Sequence, residues 1–126
     1  MAACDCHGCI SKGTICAPKG DDTRILFTVL DDDGDEFDIS GATEIVFIVA
    51  DSLNGDVRIV KRLSGGDISI STNQYQFYLT VTASETATLP RGKSYYEAQI
   101  TTSAGLKKTV SHGVFRATET RIKDLP

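Results

Sequence analysis

Four cysteines and a histidine crowd one end of this chain: Cys4, Cys6, His7, Cys9 and, a little later, Cys16. Thiolates and imidazole are zinc ligands, and four sulfurs can close a tetrahedral structural site. A short segment without hydrophobic period cannot fold on burial alone, so a metal would give it a reason to hold a shape. The first expectation is therefore structural zinc on Cys4, Cys6, Cys9 and Cys16, with His7 as a substitute ligand. Only Cys6 and Cys9 form a C-x-x-C pair, and Cys4 stands one residue from Cys6. That spacing matches no standard iron–sulfur run. Disulfides among the four cysteines, or reduced thiols, are the competing readings, because cysteine counts alone do not settle pairing.

Other reactive side chains do not assemble into a catalytic pattern. Ser111 and His112 are neighbours on an expected strand, so they point to opposite faces. Glu85 and Glu97 are the carboxylates near an expected corner, and neither has an apolar setting that would make it an acid. The acidic run Asp31–Asp38 offers hard oxygen ligands for calcium, yet Glu36 stands where an EF-hand loop needs glycine. A solvated turn is the preferred reading, since Asp caps its own turn and Gly tolerates left-handed backbone. Tyr78 and Tyr95 are candidate exposed rings for a sugar, in a chain whose aromatic content is only 7 %. No enzyme is expected.

These residues must be positioned by strands. Arg24–Leu30, Thr43–Ala50, Val57–Leu63, Ile68–Ser71 and Tyr75–Val81 read as strands bounded by turn residues. Thr43–Ala50 is nearly all apolar, the pattern of a central strand buried on both sides. Asn54-Gly55 predicts a hairpin turn after it. Tyr75, Phe77, Leu79 and Val81 alternate inward with Gln76, Tyr78 and Thr80 outward. Ser84–Ala87 predicts one helical turn capped by Ser84, ended by Pro90. Tyr96, Ala98 and Ile100 resume the inward face. Lys107–Val110 and Val114–Ala117 form the last strand, with Gly113 as a bulge. The fold class is all-β: an immunoglobulin-like antiparallel β-sandwich of about seven or eight strands with a Cys-rich, non-regular N-terminal arm. Residues 1–22 are read as arm and linker, and residues 23–126 as the sandwich. With no Trp and no strand cysteine expected, an antibody-type inter-sheet disulfide is excluded.

The 126 residues, 40 % apolar, suit one domain with a modest core. No run of about 18 apolar residues spans a membrane. The N-terminus lacks the basic and apolar regions of a signal peptide. Residues 21–56 hold eleven acids and one base, whereas residues 57–126 hold five acids and ten bases. The bases are scattered, which does not favour nucleic-acid binding. Such asymmetry suits either two solvated faces or a subunit that docks acidic side to basic side.

The segment Asp33-Gly34-Asp35-Glu36-Phe37-Asp38-Ile39-Ser40-Gly41-Ala42 resembles a turn found in many tailed-phage structural domains. The segment from Ala83 to Glu97, with Leu89-Pro90-Arg91-Gly92 and Tyr95-Tyr96-Glu97, resembles a corner of the same domains. With Gly105 and His112-Gly113-Val114-Phe115, these residues are similar to the N-terminal immunoglobulin-like domain of phage baseplate upper proteins and related tail-fibre or virion accessory domains. The resemblance covers about residues 23–118. It implies a non-enzymatic structural or adaptor protein of a tail, baseplate or fibre attachment, located in the virion and assembled in the host cytoplasm. Its expected partners are other virion proteins and copies of itself in a symmetric assembly. The alternatives are a carbohydrate- or receptor-binding module and a head decoration protein. The Cys-rich arm departs from the family pattern, and the expected docking of the arm is this chain's own feature.

Overall fold

A computed structural model describes residues 10–11, 13–52, 55–90 and 92–118. In chain order the elements are β1 (Ile10–Ser11), β2 (Thr14–Pro18), β3 (Thr23–Thr28), β4 (Glu44–Ala50) and β5 (Val57–Arg62). They continue as β6 (Ile68–Ile70), β7 (Gln76–Val81), helix α1 (Ala83–Ala87), β8 (Gly92–Thr101) and β9 (Lys107–Thr118). One sheet runs β1-β2-β9-β8-β4-β5 and the other β3-β7-β6. In immunoglobulin terms β3, β7 and β6 take the places of strands B, E and D. Likewise β9, β8, β4 and β5 take those of G, F, C and C′. The expected sandwich is therefore the observed one.

Period-2 patterning builds its core. Ile25, Phe27 and Val29 point inward from the β3 segment, as do Phe77, Leu79 and Val81 from β7, and all are buried. Ile45, Phe47 and Val49 of β4 and Tyr96, Ala98 and Ile100 of β8 meet them from the larger sheet. Phe27 stacks on Phe77 at 4.9 Å between ring centroids and reaches across to Phe47 at 5.7 Å. Fully burying each such ring contributes roughly 1.5–3 kcal/mol.

Three local expectations are corrected. Residues 14–18, assigned to the arm, form a core strand that pairs in parallel with β9, Ile15 opposite Phe115 and Ala17 opposite Ala117. Ile15, Cys16 and Ala17 are all buried. A strand covered on both faces shows no alternation, which is why the period was missing from the sequence. The bulge lies not at Gly113 but where Ala98 faces Ser111 and Gln99 faces Thr109, leaving Val110 extra. Gly113 answers a different need: a Cβ there would strike the Gly13 carbonyl. That carbonyl accepts from the Val114 N–H at 2.9 Å. Finally, Thr82 rather than Ser84 caps α1, in a reciprocal capping box with Glu85.

Helix α1 is the crossing from the small sheet to the large one, and its contacts tie several chain segments together. Thr86, fully buried, accepts from the Gly20 N–H at 3.0 Å and lies 3.2 Å from the Asp21 carbonyl. The Asp22 carboxylate accepts from the Ala83 N–H at 2.6 Å. The Glu85 carboxylate lies 2.7 Å from the Lys61 ammonium, which reaches over from β5. Lys61 is only 8 % exposed, so this is its principal charge partner. Leu89, also buried, closes the corner just before Pro90.

Partial burial alone would raise the Glu85 carboxyl. Hydrogen bonds from Lys61 and the Thr82 N–H, with the Lys61 charge, outweigh that and hold it below the usual carboxylate range. A depressed carboxyl contributes stability that is present above its unfolded value, near pH 4.3, and lost as pH falls through the folded one. Glu85→Gln should therefore be less stable than the parent at neutral pH, by a margin that shrinks on acidification below about pH 4.5. Urea titrations across that range check this; a margin constant with pH would contradict the role given to the Glu85 charge.

Candidate functional site

Residues directly opposite on neighbouring strands share a face. The outer face of the large sheet is thus set by register: Val46, Ile48 and Ala50 of β4 lie beside Gln99, Glu97 and Tyr95 of β8. Tyr95 and Glu97 lie in turn beside Val114 and His112 of β9. On the other side, Val57, Val60 and Arg62 of β5 flank Ala50, Ile48 and Val46. The short Ala50 beside Tyr95 leaves a hollow. A groove of about 560 Å³ opens there, lined by Ile48, Ala50, Tyr95, Glu97, His112 and Val114 among others. A second, of about 320 Å³, shares Ile48 and Glu97 and extends to Val46, Arg62, Gln99 and Lys107. The combination is an apolar floor with cations at its ends: Arg62 and Lys107 towards one, Lys93 and Arg116, paired in register, towards the other.

Two hydrogen bonds of hydroxyl groups order β8 against β9. The Thr109 hydroxyl donates to Glu97 at 3.2 Å, in the position opposite His112. The Ser111 hydroxyl turns inward instead and pairs with the buried Tyr96 hydroxyl at 2.9 Å. Burial raises the Tyr96 phenol above its usual value, against the effect of that bond. Ser111 and His112 therefore lie on opposite faces. Tyr95 is half-buried on the outer face, while Tyr78, on the small sheet, lies under the Arg24 guanidinium at 3.9 Å.

The cysteine cluster is only partly placed. Cys16 lies on β2, buried and disulfide-bonded. Cys4, Cys6, His7 and Cys9 lie outside the described residues. A disulfide sulfur is not a thiolate ligand, so a zinc set using Cys16 belongs to a reduced form of the chain. Among the described residues no three His, Cys, Asp or Glu side chains gather as a metal cage.

The acidic run forms a tight turn. The Asp31 carboxylate accepts from the Asp33 and Asp35 N–H groups, each at 2.9 Å, and Gly34 adopts a φ of +86°. Leu30 bridges to Glu36 across its base. Hydrogen bonds from the Ser40 side chain and backbone hold the Asp38 carboxyl below its usual value. The backbone of the turn thus explains Asp31 and Asp38, leaving Asp32, Asp33 and Asp35 as exposed charge.

No protein-family model matches the chain, and no curated protein matches it. The outer face was not singled out from the sequence, although a signal was there. The apolar run Thr43–Ala50 suggested burial on both sides, whereas Val46 and Ile48 are only half-covered. The Lys61–Glu85 pair left no such trace, since 24 residues separate its members.

Intact mass of the purified chain without reductant should fall two hydrogens short of the fully reduced mass for each disulfide. Cys16→Ser should remove one such deficit. A chain at its full reduced mass that carries zinc, lost in Cys16→Ser, would replace the disulfide with the metal site.

Proposed function

We propose that this chain is a non-enzymatic structural or adaptor protein of a tailed-phage virion, serving at a tail, baseplate or fibre attachment. The observation that carries the reading is where the phage-like segments fall. Asp33–Ala42 builds the connection from β3 to β4, and Ala83–Glu97 builds the corner from β7 to β8. Of the four crossings between sheets, these are the two that lead from the small sheet to the large one. The resemblance thus follows features that define the fold. Fold analogy does not by itself assign a role, so the shape of the surface matters too. Open grooves on a flat sheet suit contact with neighbouring subunits better than sequestration of a reacting substrate. In this reading the sandwich is a rigid spacer, and the N-terminal segment with Cys4, Cys6 and Cys9 docks on the particle, with structural zinc as its reduced-state option.

A carbohydrate- or receptor-binding module is the second reading. It is favoured by one observation: Tyr95 shares its groove with Glu97 and His112, an aromatic ring beside hydrogen-bonding groups. Head decoration is a further placement within the virion reading.

Particles purified from the phage that encodes the chain decide between these readings. The structural reading expects the protein in every particle, in a fixed ratio to a major tail protein, and no glycan retained by the isolated chain. Absence from particles, together with selective glycan binding, would overturn it in favour of the second reading.

A further inference from the structure

We infer that the outer face of the large sheet receives the acidic turn of a second copy of this chain, head to tail. This deepens the assembly reading above and rests on it only in supposing that several copies meet.

The face has two properties that call for an occupant. It is apolar at the centre, where Val57 and Val60 are 49 % and 44 % exposed and Val46 and Ile48 half-covered. It is also positive at the rim. Arg62, Lys93, Lys107 and Arg116 stand against Glu97 and Glu44. Glu44 already accepts from the Ser64 hydroxyl at 2.6 Å and from its N–H at 2.9 Å. Two such faces laid on one another would bring like charges together, which disfavours a face-to-face dimer. An acidic partner with apolar side chains fits.

The loops at the Lys107 end of the same molecule offer that partner. The turn from Asp31 to Glu36 carries exposed Asp32, Asp33 and Asp35, and Leu30 at its base is 47 % exposed. The β8–β9 turn lies alongside: the Lys108 ammonium is 5.2 Å from the Phe37 ring centroid and 3.9 Å from the Asp32 carboxylate. That turn adds Leu106, 69 % exposed. Of the five large exposed hydrophobics among the described residues, two lie on the face and two at this tip. Apolar groups and opposite charges are therefore present on both halves of the contact. Lys108 offsets only part of the turn's charge, since Asp32 remains fully exposed beside it.

Each copy carries both halves, so the contact is heterologous and repeats: it closes into a ring or runs on as a filament. It should weaken as salt shortens the reach of the charges.

Sedimentation velocity of the full chain tests this, with two charge-reversed variants. One, Arg62→Glu with Lys107→Glu, spoils the face. The other, Asp32→Lys with Asp33→Lys, spoils the turn. The wild type should grow beyond monomer with concentration at about 0.01 M salt and return towards monomer near 1 M. Each variant alone should stay monomeric. Mixed in equal amounts, they should associate again, because the intact turn of one meets the intact face of the other and the two charge-reversed surfaces also complement each other. All four positions are exposed, and unchanged circular dichroism spectra would confirm folding. Val60→Gln provides a face variant of unaltered charge and should also weaken growth. A monomeric wild type, growth indifferent to salt, or a mixture that stays monomeric would overturn the inference. A turn variant that still self-associates would replace it with face-to-face pairing. Incorporation into particles is read separately, so either idea can fail alone.

Discussion

The buried hydroxyl of Thr86 lies where the two sheets are stitched together. The chain crosses between sheets at this end twice: once from β2 to β3 and once from β7 through α1 to β8. Thr86 sits on the second crossing and bonds the backbone of the first, at Gly20 and Asp21. Asp22 returns the contact by accepting from Ala83. Backbone groups in turns need partners, and here each crossing supplies the other's. Lys61 and Glu85 add a third attachment, from the far edge strand β5. The depressed Glu85 carboxyl follows from that attachment, and so does an acid-sensitive share of stability.

With the crossings fixed, the rest of the sandwich is constrained. β2 must run parallel to β9, because its exit is held at the corner while its start passes close over Gly113. The inner faces then close around Phe27, Phe47, Phe77 and Phe115, all buried. The large sheet is left with an outer face that no described element covers. Its apolar floor is a consequence of β4 and β5 sequences richer in Val and Ile than one buried face requires. The contact inferred between copies draws on that surplus hydrophobicity and on the cations at the two ends of the face.

Much of the fold was legible from residues alone. Alternation placed β7 and the inward half of β8 because period 2 is visible when one face is wet. Turn residues marked the acidic turn and the corner. β2 was not legible because a strand covered on both faces carries no period, and its cysteine drew it into the Cys-rich arm. The cap was shifted by two residues because Ser84 and Thr82 are both good capping residues, and only the reciprocal Glu85 contact chooses between them. Of the cysteine site only Cys16 could be placed, in a disulfide. The outer face was half-legible: the apolar run of β4 announced two-sided burial, but the cations around it come from three strands, β5, β8 and β9.

Replacing Thr86 by Val tests the central claim most directly, because it keeps the shape and removes the hydroxyl. Losing the bond to the Gly20 N–H should cost about 0.5–1.5 kcal/mol, read as a lower denaturant midpoint at unchanged slope. The Gly20 and Ala83 amides should lose their slow hydrogen exchange together, since one joint protects both crossings. A Thr86→Val chain with the wild-type midpoint and both amides still protected would show that the sheets are held together elsewhere.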